Sequence, residues 1–383
     1  MRLVMVTPFL ETKGGMERVV LKIAQHFKAK IHCVSYDPEG TFPEFSGLEI
    51  ETAKPGTLSK LPLGRRVFSA IEAGSHFYNA ELKDYDLINA HQTPSEWIRN
   101  KNSPVLWYCY SPNREAFDLY EWRMRRRNPV SKAVFWASIQ AFKALEYQTV
   151  PKIEYIFTSC KNPQERIKRY LKRDAEVLYP GVDCQVFSCR GYERFFFYPS
   201  RIVPEKELEY AIEAFKLFAA RQKGWKFVIA GAVSRRPEHA AYLRKLQHLC
   251  TPDITIETNV SEERLLDLYS RCYATLFTPI NEDYGLIPLE SMAASKPCIA
   301  RNEGGPRETI IDGTDGLLVN SIWDMADKIE WLARNPEQCE AMGKAGRKKV
   351  EREFTWERFL KRFEEKAVEL AAVSELARKD RKG

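Results

Sequence analysis

The sequence predicts an α/β protein built from two doubly wound domains, each a parallel sheet with helices on both faces. Three observations predict it. Strand-like and helix-like segments alternate from end to end, and the alternation restarts near residue 194. The chain has 383 residues, too long for one ordinary core and about right for two. Its composition is 44% hydrophobic, 12% aromatic and 29% charged, which is globular and sufficient for a sizeable core.

In chain order, "LVMV" (Leu3 to Val6) reads as the first strand, followed by a loop and the helical "MERVVLKIAQHF". "KIHCVSY", "YDLINAH" and "PVLWYCY" are further β-rich runs of the first half. The non-periodic "YPGVDCQVFSCRGYE" marks a boundary, so the domains are expected at 1–190 and 191–354. The second set of strands is "RFFFYPS", "KFVIAGA", "DITIETNV", "YATLFTP", "PCIARN" and "GLLVN". Between them "LEYAIEAFKLFAARQ", "EHAAYLRKLQHL" and "SEERLLDLYSRC" have helical periodicity. "TWERFLKRFEEKAVELAAV" is a last long helix, and "SELARKDRKG" reads as a frayed, charged tail.

Several classes are excluded. No run reaches the ~18–20 apolar residues of a membrane span, and the first residues lack the long apolar stretch of a signal peptide. Nine scattered cysteines form no CxxC pair, so neither a zinc site nor a disulfide framework is expected, and reduced thiols in the cytoplasm are. The net charge of +7 favours an anionic partner: a phosphate ligand, a membrane surface or nucleic acid.

Ligands of doubly wound sheets bind outside the carboxyl ends of the strands. Two such domains facing each other make a cleft suited to two substrates. "NEDYGLIPLE" lies at such an end, after an expected strand Ala274 to Ile280 and before a helix starting near Leu286. Pro288 sits early in that helix, where its missing N–H is harmless. Helix N-termini favour anions, so Glu282 and Glu290 would repel a phosphate unless they bind something else. Vicinal hydroxyls suit them, because a carboxylate accepts two hydrogen bonds at once. Loop capping by Glu282 and a dipole contact by Glu290 would account for the same residues. Arg201 and Lys206 follow the first strand of the second domain, where paired cations can neutralise a diphosphate; a solvated surface turn is the competing account. Gly14 and Gly15 lie between the first strand and first helix, where backbone must approach a ligand, although no GxGxxG is present. Gly304, Gly305 and Glu308 follow "PCIA" in the same position.

With these residues in view, "RIVPEK", "NEDYGLIPLESMAASKP" and "NEGGPRETIIDGTDGLLV" resemble the retaining glycosyltransferases of family 4, which have the GT-B fold of two Rossmann-like domains. The resemblance runs from "GGMERV" to "FTWERF", and its most specific feature is the E-x7-E element from Glu282 to Glu290. It implies that Arg201 and Lys206 stabilise a diphosphate leaving group, Glu282 holds hydroxyls of the transferred sugar, and Glu290 binds the ribose. Backbone around Asp283, Tyr284, Gly285 and Leu286 would touch sugar and diphosphate, Gly14 and Gly15 would shape the phosphate side, and backbone near Val260 would read the base. It also implies that no metal is bound and that a C-terminal helix, about 355–383, packs back on the first domain. "DYD" at Asp84 to Asp86 matches the DxD string of metal-dependent enzymes, but it leads straight into "LINAH" and reads as a strand start.

"WYCYSPNREAFDLY" resembles the "YCHxPxR" segment of mannosyltransferase-like members, with Tyr110 where a His is common. A phenol with a pKa of ~10 is a poor base near neutrality. His91, after "LINA", could partly compensate, and Arg114 matches the Arg of the segment and could bind an acceptor phosphate or pair with an acid. From Trp122 to Trp136, Arg123, Arg125, Arg126, Arg127 and Lys132 mix with Trp122, Phe135 and Trp136. That mixture suits an anionic membrane surface, and the family context favours it over nucleic acid; a solvated charged face is the plainer account. Ser295 stands where the family has Gly, so a modified helix-ending turn is expected. The reading is a metal-independent retaining hexosyltransferase with GDP-mannose as leading donor. A lipid-linked or other glycan is the acceptor, and the enzyme is cytoplasmic or peripheral on the cytoplasmic membrane face. A UDP-sugar donor, a sugar-nucleotide epimerase or hydrolase, and a non-catalytic sugar-nucleotide-binding protein are the alternatives.

Overall fold

Near-continuous apolar runs such as LVMVTPFL and FFFYP form strands buried on both faces, as parallel sheets require. The computed structural model describes residues 1–53, 65–125, 127–233 and 236–380; Arg126 of the basic run lies outside them. The chain divides into two units, Met1–Tyr179 with Phe359–Gly383, and Pro180–Arg358.

In the first unit, β1 (Leu3–Leu10), β2 (Lys30–Tyr36), β3 (Ile50–Thr52), β4 (Leu87–His91), β5 (Val105–Cys109), β6 (Tyr155–Thr158) and β7 (Glu176–Val177) form one sheet. Its order is β3-β2-β1-β4-β5-β6-β7, and every pairing is parallel. In the second, β8 (Phe195–Pro199), β9 (Lys226–Gly231), β10 (Ile254–Thr258), β11 (Ala274–Phe277), β12 (Cys298–Arg301) and β13 (Gly316–Val319) pair in the order β10-β9-β8-β11-β12-β13, again all parallel. Strand order therefore reverses between β1 and β4 and between β8 and β11. Those two places are the switch points where doubly wound sheets open a crevice for ligands.

The second unit has an aromatic core. Phe196 meets Trp225 with ring centroids 5.2 Å apart, and Trp225 meets Tyr273 edge-on at 4.8 Å. Tyr273 keeps its hydroxyl satisfied by donating to the Leu332 carbonyl at 2.8 Å. Emptying the fully buried Phe196 site would cost ~3–5 kcal/mol.

Several expectations are corrected. The boundary falls at Pro180, at the start of the YPGVDCQVFSCRGYE segment expected to hold it and ten residues before the 190 used to divide the domains: the Val182 N–H donates to the Phe354 carbonyl at 2.9 Å, and a Cβ on Gly181 would lie 2.4 Å from the Trp356 nitrogen. The segment after Tyr179 thus belongs to the second unit. The charged tail does not fray at Ser374, because the helix Trp356–Asp380 continues through SELARKD, a run of good helix formers. Within the first unit Arg362 forks onto Glu176 with two 2.7 Å bonds, and Phe363 packs on Phe27 at 5.8 Å. Strand β11 ends at Phe277 and not at Ile280, because the Thr278 N–H turns to the Tyr198 hydroxyl at 3.0 Å. Ser295 keeps the left-handed turn (φ 55) that a glycine would adopt, with its carbonyl held by the Tyr192 hydroxyl at 2.7 Å. The strand-start reading of DYD holds: Asp84 and Asp86 lie at the amino end of β4 beside Arg2, whose N–H donates to Asp86 at 2.6 Å, at the opposite edge from the switch point.

One buried acidic pair stands out in the first unit. Glu96, on the turn Ser95–Asn100, lies beside Glu146 of the helix Pro129–Thr149, and both are buried. Burial pushes both carboxyls up, and the Glu146 charge adds to the shift of Glu96. A carboxyl raised in the folded state contributes stability that is full below its unfolded pKa of about 4.3 and is lost as pH rises through the folded value. Glu96→Gln keeps the shape and cannot ionise. It is expected to melt above the parent at about pH 8, with the gap closing toward about pH 5, in circular-dichroism melts across that range. A gap independent of pH would show that the pair does not titrate with folding.

Candidate functional site

The residues of interest in the second unit gather where β8 and β11 part. Tyr198, in the buried end of β8, donates its hydroxyl hydrogen to the Lys206 carbonyl at 2.9 Å and accepts the Thr278 N–H at 3.0 Å. Burial holds this phenol far above its ordinary pKa, so it stays a donor. The Thr278 hydroxyl donates to the Glu207 carbonyl at 2.9 Å. The loops after β8 and β11 are thereby sewn together by core hydroxyls.

Across that seam Lys206 Nζ donates to both oxygens of Glu282, each at 2.9 Å. The lysine side chain is 14% exposed and the glutamate 28%, so the pair is largely shielded yet still reached by solvent. Arg201 is exposed on the same edge and has no ion-pair partner among the described residues. The loop after β12 closes the other side. The Gly305 N–H donates to the Glu282 carbonyl at 2.9 Å. Gly304 has φ 58, and a Cβ there would meet the same carbonyl oxygen at 2.2 Å; one on Gly305 would meet the Tyr284 oxygen at 2.0 Å. These glycines are thus required by close backbone approach.

Gly285, at φ 79, is the N-cap of the helix Leu286–Ala293. Tyr284 is buried and anchors its hydroxyl on the Pro180 carbonyl at 2.9 Å, whereas Asp283 is half-buried in the loop between. Glu290 lies one turn into the helix, where the Tyr269 hydroxyl donates to its Oε2 at 2.7 Å. Burial, then the Glu290 charge, holds Tyr269 in its protonated, donating form. Val260 follows β10 and packs, half-buried, on the cluster that contains Tyr269 and Phe197. Glu308 is half-buried in the short helix Pro306–Thr309 after β12.

In the first unit the corresponding edge gathers His91, Tyr110 and the start of the helix Gly15–Phe27. Gly14 is its N-cap and Gly15 its first residue. A Cβ on Gly14 would lie 2.4 Å from a Glu17 carboxylate oxygen. His91 is fully buried, and burial pushes its pKa down to about 3, so it is neutral. Its Nε2 meets the Asn89 Oδ1 at 2.6 Å, and the Asn89 amide nitrogen donates to the Leu106 carbonyl at 3.1 Å. The hydrogen therefore sits on Nε2, and Nδ1 accepts from the Tyr110 hydroxyl at 2.9 Å. His91 orients Tyr110 and does not stand in for a missing base. Arg114 is drawn away from this group: it pairs with Asp118 at 3.0 Å, beside Arg166.

Three contributors carry no sequence signal. Tyr198 reads as one more apolar residue in FFFYP, and Tyr269 as a helix core position. Arg301 closes β12 and reaches Glu303 at 2.7 Å, a contact that spacing alone does not announce.

The "Glycosyl transferases group 1" family model matches residues 187–349. The alpha-1,3/1,6-mannosyltransferase ALG2 of Dictyostelium discoideum is 23% identical, over 90% of this chain and 93% of its own. The human ALG2 protein is 26% identical, over 90% of this chain and 91% of its own. Among solved structures, sucrose-phosphate synthase from Thermosynechococcus elongatus superposes with a TM-score of 0.77 at 18% identity, over 97% of this chain and 100% of that one.

The glycine contacts give a direct test. Gly305→Ala must push the Tyr284 backbone away, whereas Gly313, at φ 77, has open space around its missing Cβ. Gly313→Ala is expected to lose about 1 kcal/mol in urea unfolding through its dihedral alone. Gly305→Ala should lose about 2 kcal/mol or more and should also abolish any nucleotide-induced rise in melting temperature, which Gly313→Ala should retain.

Proposed function

We propose that the chain is a group 1 glycosyltransferase, supported by the family model over residues 187–349, the mannosyltransferase relatives and the GT-B fold of its structural neighbours, and that it carries out a specific reaction. The enzyme moves mannose from GDP-mannose, with retention at the anomeric carbon and no bound metal, to a lipid-linked glycan at the cytoplasmic face of a membrane. Relatives named alpha-1,3/1,6-mannosyltransferase that align along most of both chains support the sugar. The observation that carries the mechanism is the two-pronged Lys206–Glu282 ion pair at the β8/β11 switch point.

An ammonium has three donors, and Glu282 takes two. The third is available to a phosphate oxygen of the donor. Glu282, held in place by that lysine, retains lone pairs for hydroxyls of the sugar. Arg201 forks onto the diphosphate. The Gly285 cap leaves the first N–H groups of the helix Leu286–Ala293 turned toward the same anion. Glu290, oriented by Tyr269, receives ribose hydroxyls, and the backbone beside Val260 faces the base.

In the transfer, the bond from the anomeric carbon to the diphosphate oxygen breaks and its electron pair leaves with the diphosphate. The acceptor oxygen bonds to the same face of the carbon, and its proton passes to the departing phosphate oxygen. Charge grows on the diphosphate, where Arg201 and Lys206 supply the positive charge that a metal supplies in other transferases. Tyr110, oriented by the buried His91, is assigned to the acceptor, whereas Arg114, paired with Asp118, is not.

The membrane contact is assigned to the helix Pro129–Thr149 and the residues before it. Trp122 is 46% exposed, Val130 77%, Val134 63% and Trp136 54%. Arg123, Arg125, Arg127 and Lys132 lie among them, with Arg127 stacked over Phe135 at 3.9 Å. Exposed indoles beside cations suit an anionic headgroup region. Among the described residues no helix is long and apolar enough to cross a membrane.

Two measurements test this reading. A panel of GDP-, UDP- and ADP-sugars with a lipid-linked oligosaccharide acceptor should give transfer from GDP-mannose, unaffected by chelator, with an α-linked product by NMR. Lys206→Ala should slow turnover by ~100–1,000-fold, equivalent to ~2.7–4 kcal/mol. Preferred transfer from a UDP-sugar would overturn the donor assignment, and donor hydrolysis or epimerisation without an acceptor would overturn the reaction. Separately, the protein should float with phosphatidylserine vesicles and not with neutral phosphatidylcholine vesicles. A Trp122→Ala/Trp136→Ala variant with an unchanged melting temperature should lose that binding; equal flotation of variant and parent would discard this surface.

A further inference from the structure

We propose that Arg301 is a positioning residue for the Lys206–Glu282 pair. The inference starts from two backbone angles. Glu207, immediately after Lys206, has φ 45, and Asn281, immediately before Glu282, has φ 46. Both partners of the ion pair are therefore flanked by a non-glycine residue in the left-handed region, which persists only where the surroundings over-determine it.

One guanidinium reaches both flanks. Arg301 is the last residue of β12, and its side chain is 17% exposed. Its Nη1 pairs with the Glu207 carboxylate, and its Nη2 donates to Glu303 Oε1 at 2.7 Å. The other Glu303 oxygen accepts the Asn281 N–H at 3.1 Å. The guanidinium lies over the Tyr210 ring, 5.0 Å from its centre, which fixes the plane of the fork. Arg301 thus holds the flank of Lys206 directly and the flank of Glu282 through Glu303.

Charge makes the arrangement cooperative. Two carboxylates share one guanidinium, and burial already pushes the Glu207 carboxyl up against the pull of Arg301. Without the arginine, Glu207 and Glu303 would face each other uncompensated, each attached to a left-handed residue free to relax. Both loops would then drift, and the Lys206–Glu282 contact with them. Lysine cannot replace the fork, because a single ammonium does not present two parallel donors in one plane.

The kinetic part of the test rests on the glycosyltransferase reading, and hydrogen exchange does not. In Arg301→Gln, amide exchange over residues 205–208 and 279–283, the Asn281 N–H above all, should rise at least tenfold, with the cores of β8 and β11 protected as in the parent. With whichever donor the parent uses, kcat should fall at least 30-fold while the donor KM moves less than threefold. Arg301→Lys should restore little of kcat. Arg301→Gln/Glu207→Gly, which removes the unpaired carboxylate and accepts φ > 0 without strain, should regain tenfold or more. Parental exchange in both loops of Arg301→Gln would overturn the proposal. So would exchange rising through the whole sheet with kcat unchanged. A parent that turns over no donor would sink the functional reading and leave exchange to decide the clamp.

Discussion

A single phenolic oxygen sets the geometry of the second unit's binding edge. Tyr198 is the last aromatic residue of a strand of aromatics, one before its end at Pro199, so its ring is fixed by the core and its hydroxyl is delivered to the crevice between β8 and β11. There it gives to one loop and takes from the other. A buried hydroxyl must find partners, and the backbone groups at the ends of two diverging strands need them equally. The same demand that satisfies the core therefore brings Lys206 and the Glu282 loop within reach of each other. Position in the fold and position in the site are set by one satisfied polar group.

The ion pair built on that seam is poorly suited to stabilising the fold. Two largely shielded charges lose hydration and recover it mainly from each other, so such pairs contribute little net stability. Their value lies in preorganisation. On the proposed reading, Glu282 is fixed before any hydroxyl arrives, and Lys206 keeps a donor for an incoming anion while remaining bound. The glycines after β12 follow from this placement: Gly304 and Gly305 lie so near the Glu282 and Tyr284 carbonyls that a side chain would displace the loop holding the carboxylate. The residues that look like a motif in sequence are thus of two kinds, those with donors and acceptors for a ligand and those that only leave room for them.

That distinction explains what was legible. The βα alternation announced both parallel sheets, because doubly buried strands read as unbroken apolar runs and the helices between them as amphipathic ones. All six strands of the second unit, β8 to β13, lie in the runs expected for them. In the first unit β3, β6 and β7 were missed: IET and EV are too short for any period to show, and YIFT is a four-residue apolar run with no period of its own. Glu282, Lys206 and the glycine loops were readable from their place after strands. Tyr198, Tyr269 and Arg301 were not, because their work depends on pairings across the sheet. Lys206 and Glu282 are 76 residues apart, and nothing in the local sequence of either names the other. The left-handed turn at Ser295 was misread for a related reason: propensity argued for a changed turn, while the Tyr192 hydroxyl, from a distant loop, holds the carbonyl of an unchanged one.

On the proposed reading, the first unit supplies the residues that meet the acceptor, and their protonation limits the chemistry. His91 is neutral, its one hydrogen committed to Asn89, and its free nitrogen is occupied by Tyr110. Tyr110 in turn is held far above its ordinary pKa by burial, then by neighbouring groups, so it does not ionise near neutrality. Neither residue can take a proton from an attacking hydroxyl. What they offer is a phenolic hydroxyl held between His91 Nδ1 at 2.9 Å and the Met16 carbonyl at 3.2 Å, whose oxygen can orient a hydroxyl without removing its hydrogen. On the proposed reading the base must then come with the substrate, and the diphosphate oxygen released beside Lys206 is the group whose basicity rises as the bond breaks. A Tyr in place of a His is compatible with turnover for that reason: the position calls for a hydrogen-bonding surface, and the proton has another destination.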